Sequence, residues 1–145
     1  MSQFAPFDVA TVIAQIQAQV PTLRFVGGAA DYAAIKSLRE FQPPCAFVLL
    51  AKEKAQYHQG GGQQRSIITF GVVMAVRNYR AADRGLQGSD ALRGVLDSVR
   101  GALMTWTPPV KGGRPCQLQQ GDLVDYDGAN LLWTDTYQTQ AILQP

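Results

Sequence analysis

Val9, Val12, Ile13, Ile16 and Val20 recur at the i, i+3, i+4 spacing that gives a helix one apolar stripe. Asp8 stands where a cap belongs, Phe7 can staple onto Val12 one turn in, and Pro21 ends the run. The opposite face carries Gln15, Gln17 and Gln19, so this first helix covers a core and turns amides outward. Residues 22–26 (TLRFV) predict a short strand closed by Gly27 and Gly28, with a short helix over about 29–38. After Pro43 and Pro44, the run CAFVLLA is too short for a helix in this setting and predicts a buried strand.

Residues 53–64 (EKAQYHQGGGQQ) combine three consecutive glycines with polar side chains, which predicts a flexible loop or hairpin tip. The longest strand pattern follows in RSIITFGVVMAVRN. One face holds Ile68, Phe70, Val72, Met74 and Val76, and the other Ile67, Thr69, Gly71, Val73 and Ala75. The second face is smaller but not polar, which predicts cover on both sides, a helix on one and another sheet or subunit on the other. RAADRGLQGS reads as a loop. Leu92, Val95, Leu96, Val99 and Leu103 then predict a second long helix from about Ser89, as its cap, to Thr105, before Pro108 and Pro109. Two strand-like runs joined across Asp127 and Gly128 predict a closing hairpin. The pattern as a whole is that of one α+β domain over 1–145, a mostly antiparallel sheet with two long helices packed on one face.

Composition narrows the function. Charged residues are only 17% of the chain, below the roughly 25% usual in soluble domains. Glutamines such as Gln117, Gln119 and Gln120 supply polarity instead, and amides can pair across subunits without the desolvation cost of charges. A net charge of +2 gives no excess for phosphate neutralisation, so sequence-specific nucleic-acid binding is not expected. Cys45 and Cys116, lacking CxxC spacing, read as core thiols. No basic leader precedes an apolar stretch, and no run approaches the ~18 apolar residues of a membrane span, so the chain reads as made in the cytoplasm.

Catalytic and metal-binding patterns are not assembled in the sequence. The single histidine, His58, sits in the glycine-rich loop with no orienting partner in sequence. GGGQQRS lacks the Gly-Lys-Ser/Thr ending of a phosphate loop and precedes a strand. Asp122, Asp125 and Asp127 miss the alternating ligands and closing glutamate of a calcium loop. The expectation is a non-enzyme without metal or cofactor. Arg77, Arg80 and Arg84 cluster after the long strand, with Arg93 and Arg100 beyond, offset by Asp83, Asp90 and Asp97. They read as solvated charge able to meet an acidic partner.

The segments FDVATVIAQIQAQVPTLRFVGGAADYAA, FGVVMAVRN, the helix exit TWTPP and the closing LLWTDTYQTQ, in this order, resemble the tail-terminator-like proteins of Mu-like phages and prophages. The likeness runs over most of the chain, excluding the glycine-rich 53–64 and glutamine-rich 117–120 stretches. It implies an α+β virion protein forming a homo-oligomeric ring, usually a hexamer, on the head-proximal end of the tail tube. Such a ring ends tube polymerisation and docks neck or head-completion proteins. The implied partners are therefore the chain itself, the tail tube protein and a neck protein. Another neck or tail-completion role is the alternative, and a nucleic-acid-binding module using Arg77, Arg80 and Arg84 is a third. Candidate assembly contacts are Tyr57, His58, Gly60, Gly61 and Gly62 in the loop, together with Arg77, Arg80 and Arg84.

Overall fold

The computed structural model describes residues 4–57, 60–77, 86–127 and 129–145, with backbone only over 86–90. Helix α1 (Ala10–Gln19) forms where the first stripe predicts it, and Val12 and Ile16 are completely buried. Asp8 caps from one position further out than the N-cap residue Val9, its Oδ1 accepting the Ala10 N–H at 2.9 Å. Then come β1 (Phe25–Gly27), α2 (Ala29–Ala33), a 3-10 turn (Leu38–Glu40), β2 (Cys45–Ala55) and β3 (Gln64–Arg77). Helix α3 (Leu86–Met104) and the hairpin of β4 (Gln117–Tyr126) and β5 (Asn130–Leu143) complete the order.

The five strands make one sheet in the order β1-β2-β3-β5-β4. The sheet is mixed, which corrects the expectation of a mostly antiparallel one. β1 runs parallel to β2, with Phe25 opposite Cys45, while the other neighbours are antiparallel. The cause lies in the connection, because α2 and the 3-10 turn carry the chain back to the start of the sheet, and a crossover of that kind joins parallel strands. β3 is central, pairing with β5 over all of Gln64–Arg77.

Alternation along β3 sorts the core into two layers. Ile68, Phe70, Val72, Met74 and Val76 point to the face covered by both long helices, where they meet Val12 and Ile16 of α1 and Leu96, Val99 and Leu103 of α3. Phe70 stacks between Phe7 and Tyr137, with ring centroids 6.2 and 5.5 Å away. On the other face Val73 and Ala75 pack with Cys45, Phe47, Leu132 and Phe41, under Tyr32, Ile35 and Leu38. Cover for this second face thus comes from the chain's own α2 and 3-10 turn, and only at one end. Ile67, Thr69 and Gly71 remain half-exposed.

Several boundaries differ from expectation: the strand expected over 22–26 is Phe25–Gly27, and the short helix expected over about 29–38 stops at Ala33, with a separate 3-10 turn at Leu38–Glu40. β2 continues through Ala55 and β3 begins at Gln64, so the loop expected over 53–64 is confined to 56–63. Lys52, Glu53, Lys54 and Ala55 have no apolar face to bury, yet ladder pairing with Thr69, Ile68, Ile67 and Ser66 holds them extended. The second long helix starts at Leu86, which places Ser89 inside its first turn and not at its cap.

Candidate assembly surface

The candidate contact residues fall at opposite ends of the sheet. Tyr57, 89% exposed, follows β2 at the tip of the β2–β3 hairpin. Gly60, Gly61 and Gly62 are exposed beside it, the last two in left-handed backbone (φ 66° and 70°) with open space around them. Arg77 closes β3 at the far end, opposite Asn130, exposed and about 40 Å of strand from the tip. The structure therefore does not bring Tyr57 and Gly60–Gly62 together with Arg77. His58, Arg80 and Arg84 lie outside the described residues.

Sequence groups Arg100 with the solvated arginines, and the structure corrects this. Its guanidinium forks onto Asp135, Nε to Oδ2 and Nη2 to Oδ1, both at 2.8 Å. Asp135 is completely buried on β5, facing α3, and its carboxylate also accepts Trp133 Nε1 at 2.9 Å and Tyr137 Oη at 3.2 Å. Four donors thus satisfy one buried charge, which is what allows it to sit there. The hydrogen bond to Asp135 raises the Arg100 pKa above its ordinary value. Burial first, and then Asp135, push the Tyr137 hydroxyl well up. A signal for this lock was present. Asp135 shares the inward parity of Trp133 and Tyr137, and Arg100 falls one turn after Leu96 on the buried stripe of α3.

Other polar side chains are similarly engaged. Gln15, expected to face outward, donates from Nε2 to the Ala102 carbonyl at 3.0 Å and ties α1 to α3. Asn130 Nδ2 donates to the Leu38 carbonyl at 2.7 Å and fastens the 3-10 turn to β5. In the β4–β5 turn, Asp127 Oδ1 accepts the N–H groups of Ala129 and Asn130, both at 2.7 Å. Those bonds, from Asn130 first and Ala129 next, hold its carboxyl below the usual range. Cys45 and Cys116 are buried free thiols whose pKa values burial pushes up to about 11. Among the described residues, no three His, Cys, Asp or Glu side chains gather as metal ligands, and no helix is long and apolar enough to cross a membrane.

The sheet ends in two unlike open edges. Among the described residues no strand pairs with the outer side of β4, and Leu123, Val124 and Tyr126 are 50%, 48% and 61% exposed along it. Ladder shifts interrupt β4 between Leu118 and Gln120 and between Leu123 and Asp125. At the other side β1 covers β2 only as far as Phe47. Among the described residues no strand pairs with the outer side of β2 beyond it.

Comparison with family models gives a match over residues 2–145 to the phage tail terminator proteins. The chain belongs to that family and is a structural component of a phage tail. A comparison with curated proteins gave no match.

Proposed function

We propose that copies of this chain close into a ring on the head-proximal end of the tail tube, ending tube polymerisation and presenting a docking surface for neck or head-completion proteins. Membership of the tail terminator family over 2–145 is the observation that carries this reading. The resemblance to proteins of Mu-like phages adds a ring of six and a site of action in the virion, with no catalytic step and no cofactor. A closed ring of like subunits needs heterologous contacts between two different patches, and a sheet with two unlike edges offers such a pair.

The hairpin tip at Tyr57 and Gly60–Gly62 is proposed to meet a neighbour or the tube, and Arg77, Arg80 and Arg84 an acidic partner surface. Native mass spectrometry and sedimentation of the purified chain, alone and with tail tubes, test the reading. A closed oligomer, free or formed only on tube ends, is expected. A strict monomer that ignores tubes would overturn it. Deleting residues 59–63, or reversing Arg80 and Arg84, tests the contact assignments, which fall if assembly is unchanged.

A further inference from the structure

We propose that the ring is held by an intermolecular sheet, in which the β4 edge of one copy pairs antiparallel with the bare β2 edge of the next, Asp122 opposite Lys54 and Asp125 opposite Lys52. The proposal rests on the ring reading above and specifies its interface. Its starting point is charge on the two edges. Lys52 and Lys54 are exposed on bare β2, and Asp122 and Asp125 are exposed on β4. The ladders place all four on the same face of the sheet, the one opposite the long helices. Among the described residues neither lysine side chain has a hydrogen bond or ion pair. Asp122 accepts only the neutral Gln120 amide at 2.8 Å, and Asp125 only the Tyr126 N–H at 2.8 Å.

The register follows from the same ladders. Asp122 lies level with Val73 through Thr134, and Asp125 with Ala75 through Leu132. Lys54 and Lys52 lie level with Ile67 and Thr69. A six-residue stagger of the neighbour, Val73 to Ile67, therefore satisfies both charge pairs at once. The number is even, so it keeps each ladder-paired side chain on its own face. The same stagger sets Tyr126 opposite Leu50, which is 40% exposed, and pairs two bare apolar groups on the helix face. It also carries β4 past β1, which stops at the level of Phe47.

Direction and slope agree with closure. β4 runs opposite to β2 within the subunit, so a rotated copy meets it antiparallel. Six residues are about 20 Å of strand, and the four strand spacings from β2 to the next copy's β2 are about 19 Å. The resulting slope of about 45° is at the upper end of the strand tilt in closed barrels. Pairing of identical edges is disfavoured, since β4 on β4 sets Asp against Asp and β2 on β2 sets Lys against Lys. The contact is thus head-to-tail.

The test uses the full chain with Lys52→Glu/Lys54→Glu, with Asp122→Lys/Asp125→Lys, and with all four changes together. Each is followed by native mass spectrometry and sedimentation, with and without tail tubes, and circular dichroism checks the fold. Each reversed pair is expected to raise the concentration for half-assembly by about tenfold or more, and the fourfold variant to recover most of that loss. As an independent readout, Leu50→Cys/Tyr126→Cys should give a ladder of covalent oligomers on oxidation, and the single substitutions should not. If reversed pairs assemble like the parent and no ladder forms, the edge pairing is wrong while the ring stands. If the parent itself never assembles, alone or on tubes, the ring reading fails and this one with it. Loss of tube binding by the Asp122/Asp125 variant with its rings intact would show that a strand of another protein occupies β4, and would also overturn the proposal.

Discussion

Replacing Arg100 by methionine keeps a long aliphatic side chain at that position of α3 and removes the fork on Asp135. The carboxylate, completely buried in the parent, then keeps only Trp133 and Tyr137 as side-chain donors. Breaking a buried ion pair from one side typically costs about 3–5 kcal/mol, because the remaining charge is uncompensated. Here the arginine side chain is 32% exposed, so water already weakens the pair and can reach the orphaned carboxylate. About 2 kcal/mol is the expected loss, or roughly 4–8 °C in Tm for a chain of this size. Urea unfolding followed by tryptophan fluorescence suits the measurement, since Trp133 itself bonds to Asp135. Asp135→Asn and the double variant complete a cycle whose coupling should be about 1–2 kcal/mol, with Arg93→Met on the exposed side of α3 changing stability by less than about 0.5 kcal/mol. A loss below about 0.5 kcal/mol for Arg100→Met, or a coupling of zero, would refute the view that this fork fastens α3 to the sheet.

The two buried thiols give an alkaline limit. Their pKa values stand at about 11 against 9.0, so the folded state holds these protons longer; their contribution is intact below pH 9 and is lost as pH rises through about 11. At roughly 1.4 kcal/mol per unit, each thiol accounts for about 2–3 kcal/mol of that fall, and Cys116→Ala should remove about half of the thiol slope in urea midpoints measured across this window. Tyr137, also raised, adds to the fall above about pH 10. Gly112 and Gly61 share a positive φ, 71° and 66°, but a Cβ on Gly112 would lie 2.5 Å from Ile142 Cγ1 while one on Gly61 meets nothing. Gly61→Ala should therefore cost only the left-handed backbone, about 1–2 kcal/mol, and Gly112→Ala at least about 1 kcal/mol more by denaturant melts.

Much of this architecture was legible because periodicity alone carried it. The α1 stripe, the two-sided β3 pattern and the two closing strand-like runs each produced the expected element. Legibility failed where a contact distant in sequence decides the outcome. Phe25–Gly27 is too short for its pattern to reveal direction, and only the crossover to Cys45 makes it parallel. The tract at Lys52–Ala55 looks like loop by composition, since its strand character comes from hydrogen bonds to β3. Arg100 and Asp135, 35 residues apart, each resemble ordinary surface charge until their buried parities are set side by side. The candidate contacts at Tyr57 and Arg77 could be named from composition, but their separation along β3 could not.

The continuous pairing of β3 has a mechanical consequence. All fourteen residues from Gln64 to Arg77 are in ladder with β5, and Ser66–Ala75 are also in ladder with β2. Antiparallel hydrogen bonds lie across the strand direction. A pull on the hairpin along its axis would therefore load these bonds together in shear, whereas a sideways pull would peel them singly. The arm is stiffest along its own length, the direction in which a neighbour seated at its tip would draw on it.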